Sequence, residues 1–222
     1  LPEETPVGVY RRMFTIPQGW EGRQVYINLA GAKSGVYVYV NGSMVGYNED
    51  SKNLARVNIT EYLRSGDNEL EIRIFRYSTG SYLECMDFFR ISGIERDVYL
   101  SSEKRDTRFD FNLISTLDES CTDGVFRLEC TGNPELRIPV SYRLVDKDGT
   151  VVLSGGSVMT DGHLDMEGVV DNVRQWSAEQ PELYTLLLTV DGENTAFNVG
   201  FRRLEIRDGL FLVNGAPVKF KG

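Results

Sequence analysis

Hydrophobic side chains along this chain recur at every second position, and turn-forming dipeptides break the runs at short intervals. In Leu70-Glu-Ile-Arg-Ile-Phe75, the residues Leu70, Ile72 and Ile74 fall on one face and Glu71 and Arg73 on the other. Val36-Tyr-Val-Tyr-Val40 and Met44-Val-Gly-Tyr47 flank Asn41-Gly42. Both turn residues tolerate positive φ, so this is a strong two-residue hairpin signal. The only helical signal is Thr60-Glu-Tyr-Leu-Arg64, a single capped turn ending before Gly66. Many short strands at regular turn spacing predict an all-β chain built of sandwiches or barrels.

The second half repeats the pattern. Strands are expected at 110–113, 125–130, 138–145, 151–153, 183–190 and 196–199. Gly132-Asn-Pro134, Asp148-Gly149, Gly155-Gly156 and Asp191-Gly192 punctuate them. That number of strands in about 100 residues suits an immunoglobulin-like sandwich, although no cysteine-tryptophan-cysteine pattern accompanies it. Ser101-Ser-Glu-Lys-Arg105 is short and polar, a tight junction rather than a flexible linker. Beyond it all, Leu204-Glu-Ile206, Leu210-Phe-Leu-Val213 and Val218-Lys-Phe220 give three further strand signals separated by Asp208-Gly209 and Asn214-Gly215. This tail is expected to be poorly packed or paired with a neighbouring molecule, because it carries unpaired edges and has no further domain to receive it.

Composition narrows the function classes. Hydrophobic content of 41% and charged content of 26% are ordinary for a globular protein. Formal net charge is −9, of which residues 1–102 contribute −2 (11 basic, 13 acidic) and the remainder −7. Neither part offers the basic face that phosphate neutralisation demands, so no nucleic-acid partner is expected. No run approaches the about 20 apolar residues a membrane helix needs, so no membrane partner is expected either. Leu1-Pro-Glu-Glu-Thr-Pro6 is not a basic stretch followed by an apolar one. No signal peptide is therefore read, and a cytoplasmic and a periplasmic location both stay open.

Chemistry-bearing residues are sparse. Cys85, Cys121 and Cys130 are odd in number and lack metal-ligand spacing, and read as small hydrophobes or free thiols. His163 is the only histidine, in a turn-rich stretch. A histidine-centred metal site or a Ser/His/Asp triad is thereby excluded. Acidic neighbours such as Glu3-Glu4 and Glu49-Asp50 read as solvated faces. Asn41-Gly-Ser and Asn58-Ile-Thr match the glycosylation acceptor pattern, but Asn41 reads first as a turn residue.

One stretch fits neither a core strand nor a plain loop. Gly80-Ser-Tyr-Leu-Glu-Cys-Met-Asp-Phe-Phe-Arg-Ile-Ser-Gly-Ile-Glu-Arg-Asp-Val-Tyr-Leu100 sets Glu84, Asp87, Arg90, Glu95, Arg96 and Asp97 among Tyr82, Phe88 and Phe89. It shows no helical or strand period before Val98. Such a mixture suits a loop held against another surface or presented to a polar ligand. Tyr82, Phe88, Phe89 and Tyr47 could stack on sugar faces, but aromatics in β domains more often pack.

The same stretch resembles the end of the sugar-binding domain of glycoside hydrolase family 2, in its β-galactosidase branch. Gly8-Val-Tyr-Arg-Arg-Met-Phe14 resembles that domain's first strand, and Tyr39-Val-Asn-Gly-Ser-Met-Val-Gly-Tyr47 its central hairpin. Trp176-Ser-Ala-Glu-Gln-Pro-Glu-Leu-Tyr184 and Val199-Gly-Phe-Arg202 resemble the following immunoglobulin-like domain, with Trp176 and Tyr184 expected in its core. Asp208 to Gly222 resembles the approach to the catalytic barrel. The resemblance implies a jelly-roll galactose-binding-like sandwich at 1–102, an immunoglobulin-like β-sandwich at 103–203 and, at 204–222, a hairpin leading into a missing TIM barrel.

It further implies the N-terminal part of a retaining β-galactosidase acting on terminal β-D-galactose. Both catalytic carboxylates would lie in the barrel, leaving no catalytic residue here. Asp87 falls where the family places an aspartate that contacts galactosyl hydroxyls and a bound sodium ion, so it is the expected substrate-binding and metal residue. No cofactor is expected in these residues, with sodium and a barrel magnesium belonging to the full-length enzyme. The expected partners are a β-galactoside and the chain's own barrel, and a homo-oligomer is compatible with both. Arg90, Arg96 and Asp97 are expected to brace the barrel interface; a pairing of Asp87 with Arg90 or Arg96 is the plainer reading of that aspartate. Within the family, β-glucuronidase and β-mannosidase are the rivals; outside it, a stand-alone carbohydrate-binding module or a ligand-free scaffold.

Overall fold

The computed structural model describes residues 4–84, 89 and 91–220. Asp87, Cys85, Phe88 and Arg90 lie outside the described residues. The chain divides into two compact units, residues 1–105 and 106–222. Both are all-β.

In the first unit the strands are β1 (Val7–Thr15), β2 (Gln24–Leu29), β3 (Ala32–Lys33), β4 (Gly35–Val40), β5 (Ser43–Asn48), β6 (Ala55–Asn58) and β7 (Asp67–Phe75). A short helix α1 (Thr79–Leu83) precedes β8 (Gly93–Ile94) and β9 (Val98–Glu103). One sheet runs β1-β7-β4-β5, a second runs β6-β2-β9, and β3 pairs with β8. The expected alternation sets the core. Val36, Val38 and Val40 of β4 and Leu70, Ile72 and Ile74 of β7 are buried together with Val25, Ile27 and Leu29 of β2. Each such side chain contributes about 1.5–3 kcal/mol on leaving water.

On the opposite face of β7, Glu71 is only 6% exposed. It accepts hydrogen bonds from the guanidinium groups of Arg11 and Arg73, the latter at 2.6 Å. Those bonds, Arg11's first, hold its carboxyl below the usual range.

The Asn41-Gly42 turn forms as expected, with φ +52° and +83°. Asn41 does more than turn the chain. Its amide nitrogen donates to Tyr62 O and Asn68 Oδ1, both at 2.8 Å, and its Oδ1 accepts from Glu69 N at 3.0 Å. The expected turn at 60–64 is a 3-10 segment, Thr60–Tyr62.

The second unit holds β10 (Asp110–Leu117), β11 (Gly124–Thr131), β12 (Ile138–Val145), β13 (Val151–Met159), β14 (His163–Val170), β15 (Tyr184–Val190) and β16 (Glu193–Val199). Sheets β10-β11-β14 and β13-β12-β15-β16 enclose one core. Phe126 and Tyr142 stack there with centroids 4.7 Å apart, and Tyr184 meets Phe201 edge-on at 5.5 Å. Gly124 is needed where it stands, since a Cβ would lie 2.8 Å from the Phe201 ring.

Two strand expectations need correction. β13 continues past Gly155-Gly156 to Met159, so that pair is strand rather than turn. β14 was not expected at all; it begins at His163, immediately after the Asp161-Gly162 turn. Its inward positions Leu164, Met166 and Val170 alternate with acidic residues, but Gly168 interrupts them. That glycine receives Leu153, whose Cδ1 would lie 2.8 Å from a Cβ.

Residues 204–222 group with the second unit as a meander of β17 (Leu204–Arg207), β18 (Leu210–Val213) and β19 (Ala216–Pro217). The expectation of a poorly packed tail is overturned at one end. Leu212 is buried, Asn214 Nδ2 donates to Trp176 O at 3.0 Å, and Asn214 Oδ1 accepts from Arg203 N at 2.9 Å. Ile206 and Phe220, both 79% exposed, stay uncovered in this chain.

Candidate functional site

Along the chain, Asp87 lies between α1 and β8. Both elements are tied into the first sandwich by residues that the sequence reading passes over. Ser34, between β3 and β4, shares hydrogen bonds with Ser78 Oγ at 2.7 Å and with Ser81 Oγ. Ser81 Oγ also accepts from Ser78 N at 3.0 Å, closing the first turn of α1. Gly80 N donates to Glu49 Oε2 at 3.0 Å, and a Cβ at residue 80 would stand 3.0 Å from Glu49 O. Glycine therefore lets the helix sit against the end of β5.

Glu49, expected as a solvated carboxylate, is instead a brace. Its other oxygen accepts from the Tyr47 hydroxyl, and burial together with that bond pushes the Tyr47 phenol up. Ser51 N donates to Glu84 Oε1 at 3.4 Å. Neither Ser51 Oγ nor Glu84 Oε2 has a partner among the described residues, although both atoms are buried. The described residues contain no group of three His, Cys, Asp or Glu able to hold a metal ion.

Lys33 is 3% exposed at the same end of the unit, paired through β3 with Gly93 of β8. Among the described residues no carboxylate lies within ion-pair distance of it.

At the loop's exit, Arg96 is spent within its own unit. Its side chain covers Gly31, where a Cβ would approach Arg96 Cδ to 3.1 Å, and its guanidinium donates to Lys52 O at 3.2 Å and Ala30 O at 3.4 Å. Ala30 N donates to Asp97 O at 3.0 Å, and Lys52 pairs with Glu95 at 2.5 Å. The aromatic candidates are spread outward, with Tyr47 46%, Tyr82 50% and Phe89 88% exposed. Tyr184 is buried as expected. Trp176 is only half-buried, because its ring lies under the Arg202 guanidinium at 4.8 Å rather than in the core. Glu129 and Asp165 face each other across β11 and β14, and Arg127 pairs with both, at 3.1 Å and 3.3 Å.

Residues 1–104 match the pattern described as "Glycosyl hydrolases family 2, sugar binding domain", and residues 107–202 match "Glycosyl hydrolases family 2". The chain is 35% identical over 222 residues to a β-galactosidase of Actinobacillus pleuropneumoniae, covering 100% of this chain and 21% of that protein. It is 37% identical over 230 residues to a β-galactosidase of Streptococcus thermophilus, covering 100% of this chain and 22% of that one. The chain thus spans about a fifth of the length of these curated relatives. Among solved structures, a Bifidobacterium dentium β-glucuronidase superposes with a TM-score of 0.85 at 21% identity, over 96% of this chain and 42% of that one. At that identity the likeness is one of fold.

Proposed function

Because the chain belongs to glycoside hydrolase family 2, we propose that it is the N-terminal, non-catalytic part of a retaining β-galactosidase that releases terminal β-D-galactose. The observation that carries this reading is the end-to-end match to β-galactosidases at 35–37% identity, confined to 21–22% of their length. Retaining glycosidases need two carboxylates about 5–5.5 Å apart. In this reading both come from a barrel C-terminal to residue 222, and residues 204–222 lead into it, their exposed Ile206 and Phe220 covered there.

Asp87 is the proposed contribution of these residues to the substrate pocket, taking galactosyl hydroxyls and a sodium ion. The fixed ends of its loop support that role. A carboxylate can position sugar only if its backbone is held, and Ser34, Glu49 and Arg96 hold the segments on either side. The rival activities within the family, β-glucuronidase above all, rest on fold likeness alone.

The test is hydrolysis of aryl β-galactoside, β-glucuronide and β-mannoside by the full-length protein, with the 222-residue chain alongside. Preferential cleavage of the galactoside by the full-length protein, and no turnover by the 222-residue chain, are expected. A preference for glucuronide would replace the substrate assignment. Saturable hydrolysis by the 222-residue chain, purified free of other glycosidases, would overturn the non-catalytic one.

A further inference from the structure

The segment that leaves β5 reaches both sides of the stretch that holds Asp87 in the sequence. On the entry side Glu49 Oε2 accepts from Gly80 N at 3.0 Å, and Ser51 N donates to Glu84 Oε1 at 3.4 Å, so α1 is held at both of its ends. On the exit side Lys52 O accepts from the Arg96 guanidinium at 3.2 Å, and the Lys52 ammonium pairs with Glu95 at 2.5 Å. Residues 49–52 thus bridge entry and exit.

The segment is itself stiff. Asn48 Nδ2 donates to Asp50 O at 2.7 Å. The Asp50 carboxylate accepts from Lys52 N and Asn53 N, both at 3.4 Å, and from Asn53 Nδ2 at 2.7 Å. Ser51 is fully buried. Upstream, the Tyr47 hydroxyl donates to the other oxygen of Glu49, and the Tyr47 ring packs on Tyr37 with centroids 4.6 Å apart. Among the described residues no cation lies within ion-pair distance of Glu49. Its two oxygens are taken by neutral donors, one on the sheet and one on α1. A carboxylate used in this way fixes the distance between two elements rather than balancing a charge.

Chain length carries that constraint onward. Asp87 follows Glu84 by three residues and precedes Gly93 by six, and each residue advances the chain by at most about 3.6 Å. The placing of α1 therefore limits where Asp87 can stand. Gly80 tightens the contact, since a Cβ there would lie 3.0 Å from Glu49 O.

We infer, resting on the reading of Asp87 given above, that Glu49 is a positioning residue for that aspartate. It sets α1 against the end of β5, and through α1 it aims the carboxylate that takes the galactosyl hydroxyls. A misplacement of about 1 Å at a group that orients substrate can cost about a hundredfold in rate. Glu49 acts only through Asp87, which separates it from a residue that merely stabilises the sandwich.

A double-mutant cycle in the full-length enzyme tests this. Glu49→Ala should lower kcat/KM for an aryl β-galactoside roughly ten- to a hundredfold, with the same division between kcat and KM as Asp87→Asn. In an Asp87→Asn background the same substitution should cost less than about twofold, because the group it positions is already gone. Glu49→Gln should stay within about threefold of wild type. Its amide oxygen can accept from Gly80 N while its amide nitrogen donates to the Tyr47 oxygen. The Gly80 amide should exchange its hydrogen faster in Glu49→Ala than in wild type. Each variant is checked for wild-type near-ultraviolet dichroism. Should Glu49→Ala not fold, Gly80→Ala, which keeps the carboxylate and pushes on α1, takes its place in the cycle with the same pattern expected. An unchanged kcat/KM in Glu49→Ala, or an equal loss with and without the Asp87 carboxylate, would overturn the inference and leave the reading of Asp87 standing. Normal kinetics in Asp87→Asn would retire that reading, and the role of Glu49 with it.

Discussion

A carboxylate that accepts sugar hydroxyls or ligates sodium loses an acceptor and its charge when it becomes a carboxamide. Asp87→Asn in the full-length enzyme is therefore expected to lower kcat/KM roughly ten- to a hundredfold, the equivalent of about 1.5–3 kcal/mol for a hydrogen bond to a charged group. Sodium dependence should weaken with it and the melting temperature should hardly move. If Asp87 instead braces the loop through Arg90, kinetics on folded enzyme would stay normal while the melting point fell. Arg96 is already engaged with Ala30 and Lys52, which leaves it less free for that bracing part. A second residue-scale expectation concerns thiols. Cys130 is fully buried, and burial pushes its thiol up to about 11, whereas Cys121 is half-buried. In a Cys85→Ala background, a chromogenic disulfide at pH 8 should label one thiol of the folded chain, and mass spectrometry should place it on Cys121. Cys130 should react only after unfolding, since the thiolate is the nucleophile.

At the scale of elements, the Asn41-Gly42 hairpin shows how local and long-range demands coincide. Asn41→Ala removes three hydrogen bonds worth about 0.5–1.5 kcal/mol each, and it forces a Cβ-bearing residue without a polar side chain into the left-handed region at about 1–2 kcal/mol. Asn41→Gly keeps the turn and loses only the hydrogen bonds. Urea unfolding should rank wild type above Asn41→Gly and Asn41→Gly above Asn41→Ala; an equal loss in both variants would mean the backbone conformation contributes nothing. The turn was legible in the sequence because its requirement is local. The partners of Asn41 at Tyr62, Asn68 and Glu69 were not, because they come from distant chain. The same distinction explains the site. Strong alternation in β4, β7 and β12 announced the sheets, and family likeness pointed to Asp87. The frame of its loop was invisible, since Ser34, Glu49, Ser51 and Glu84 are ordinary polar residues until the fold brings them together. α1 spans only Thr79–Leu83 and is set by Ser81 and Glu49 rather than by any apolar period. In β14, Gly168 erased the pattern for the sake of Leu153.

Across the whole molecule, the shifted groups divide by sign and predict the shape of stability against pH. Glu71 is held low chiefly by the bond from Arg11, Asp118 by the Ser120 hydroxyl and the Thr122 and Asp123 amides, and Asp50 by the Asn53 side chain. For each, the unfolded chain binds a proton at a higher pH than the folded chain does. Their stabilisation is complete above the unfolded carboxylate range and is lost as pH falls toward the folded values. Cys130, Tyr142 and Tyr47 shift the opposite way, Cys130 and Tyr142 through burial and Tyr47 through burial and Glu49. Their contribution is complete below the unfolded thiol and phenol values and fades as pH rises through them. The melting temperature should therefore form a dome that falls on the acid side below about pH 5 and on the alkaline side above about pH 9. Net charge skews the dome. At pH 7 the chain carries −9, and self-repulsion relaxes toward its isoelectric point near 4.8, so the summit should sit on the acid side of neutrality and flatten in high salt. Calorimetry from pH 3 to 11 on wild type, Glu71→Gln and Asp118→Asn checks the assignment. Each carboxamide variant should be destabilised at neutral pH and approach wild type as pH falls, because the wild-type carboxylate is then neutral as well. A constant offset at every pH would show that the two carboxylates act through shape rather than charge.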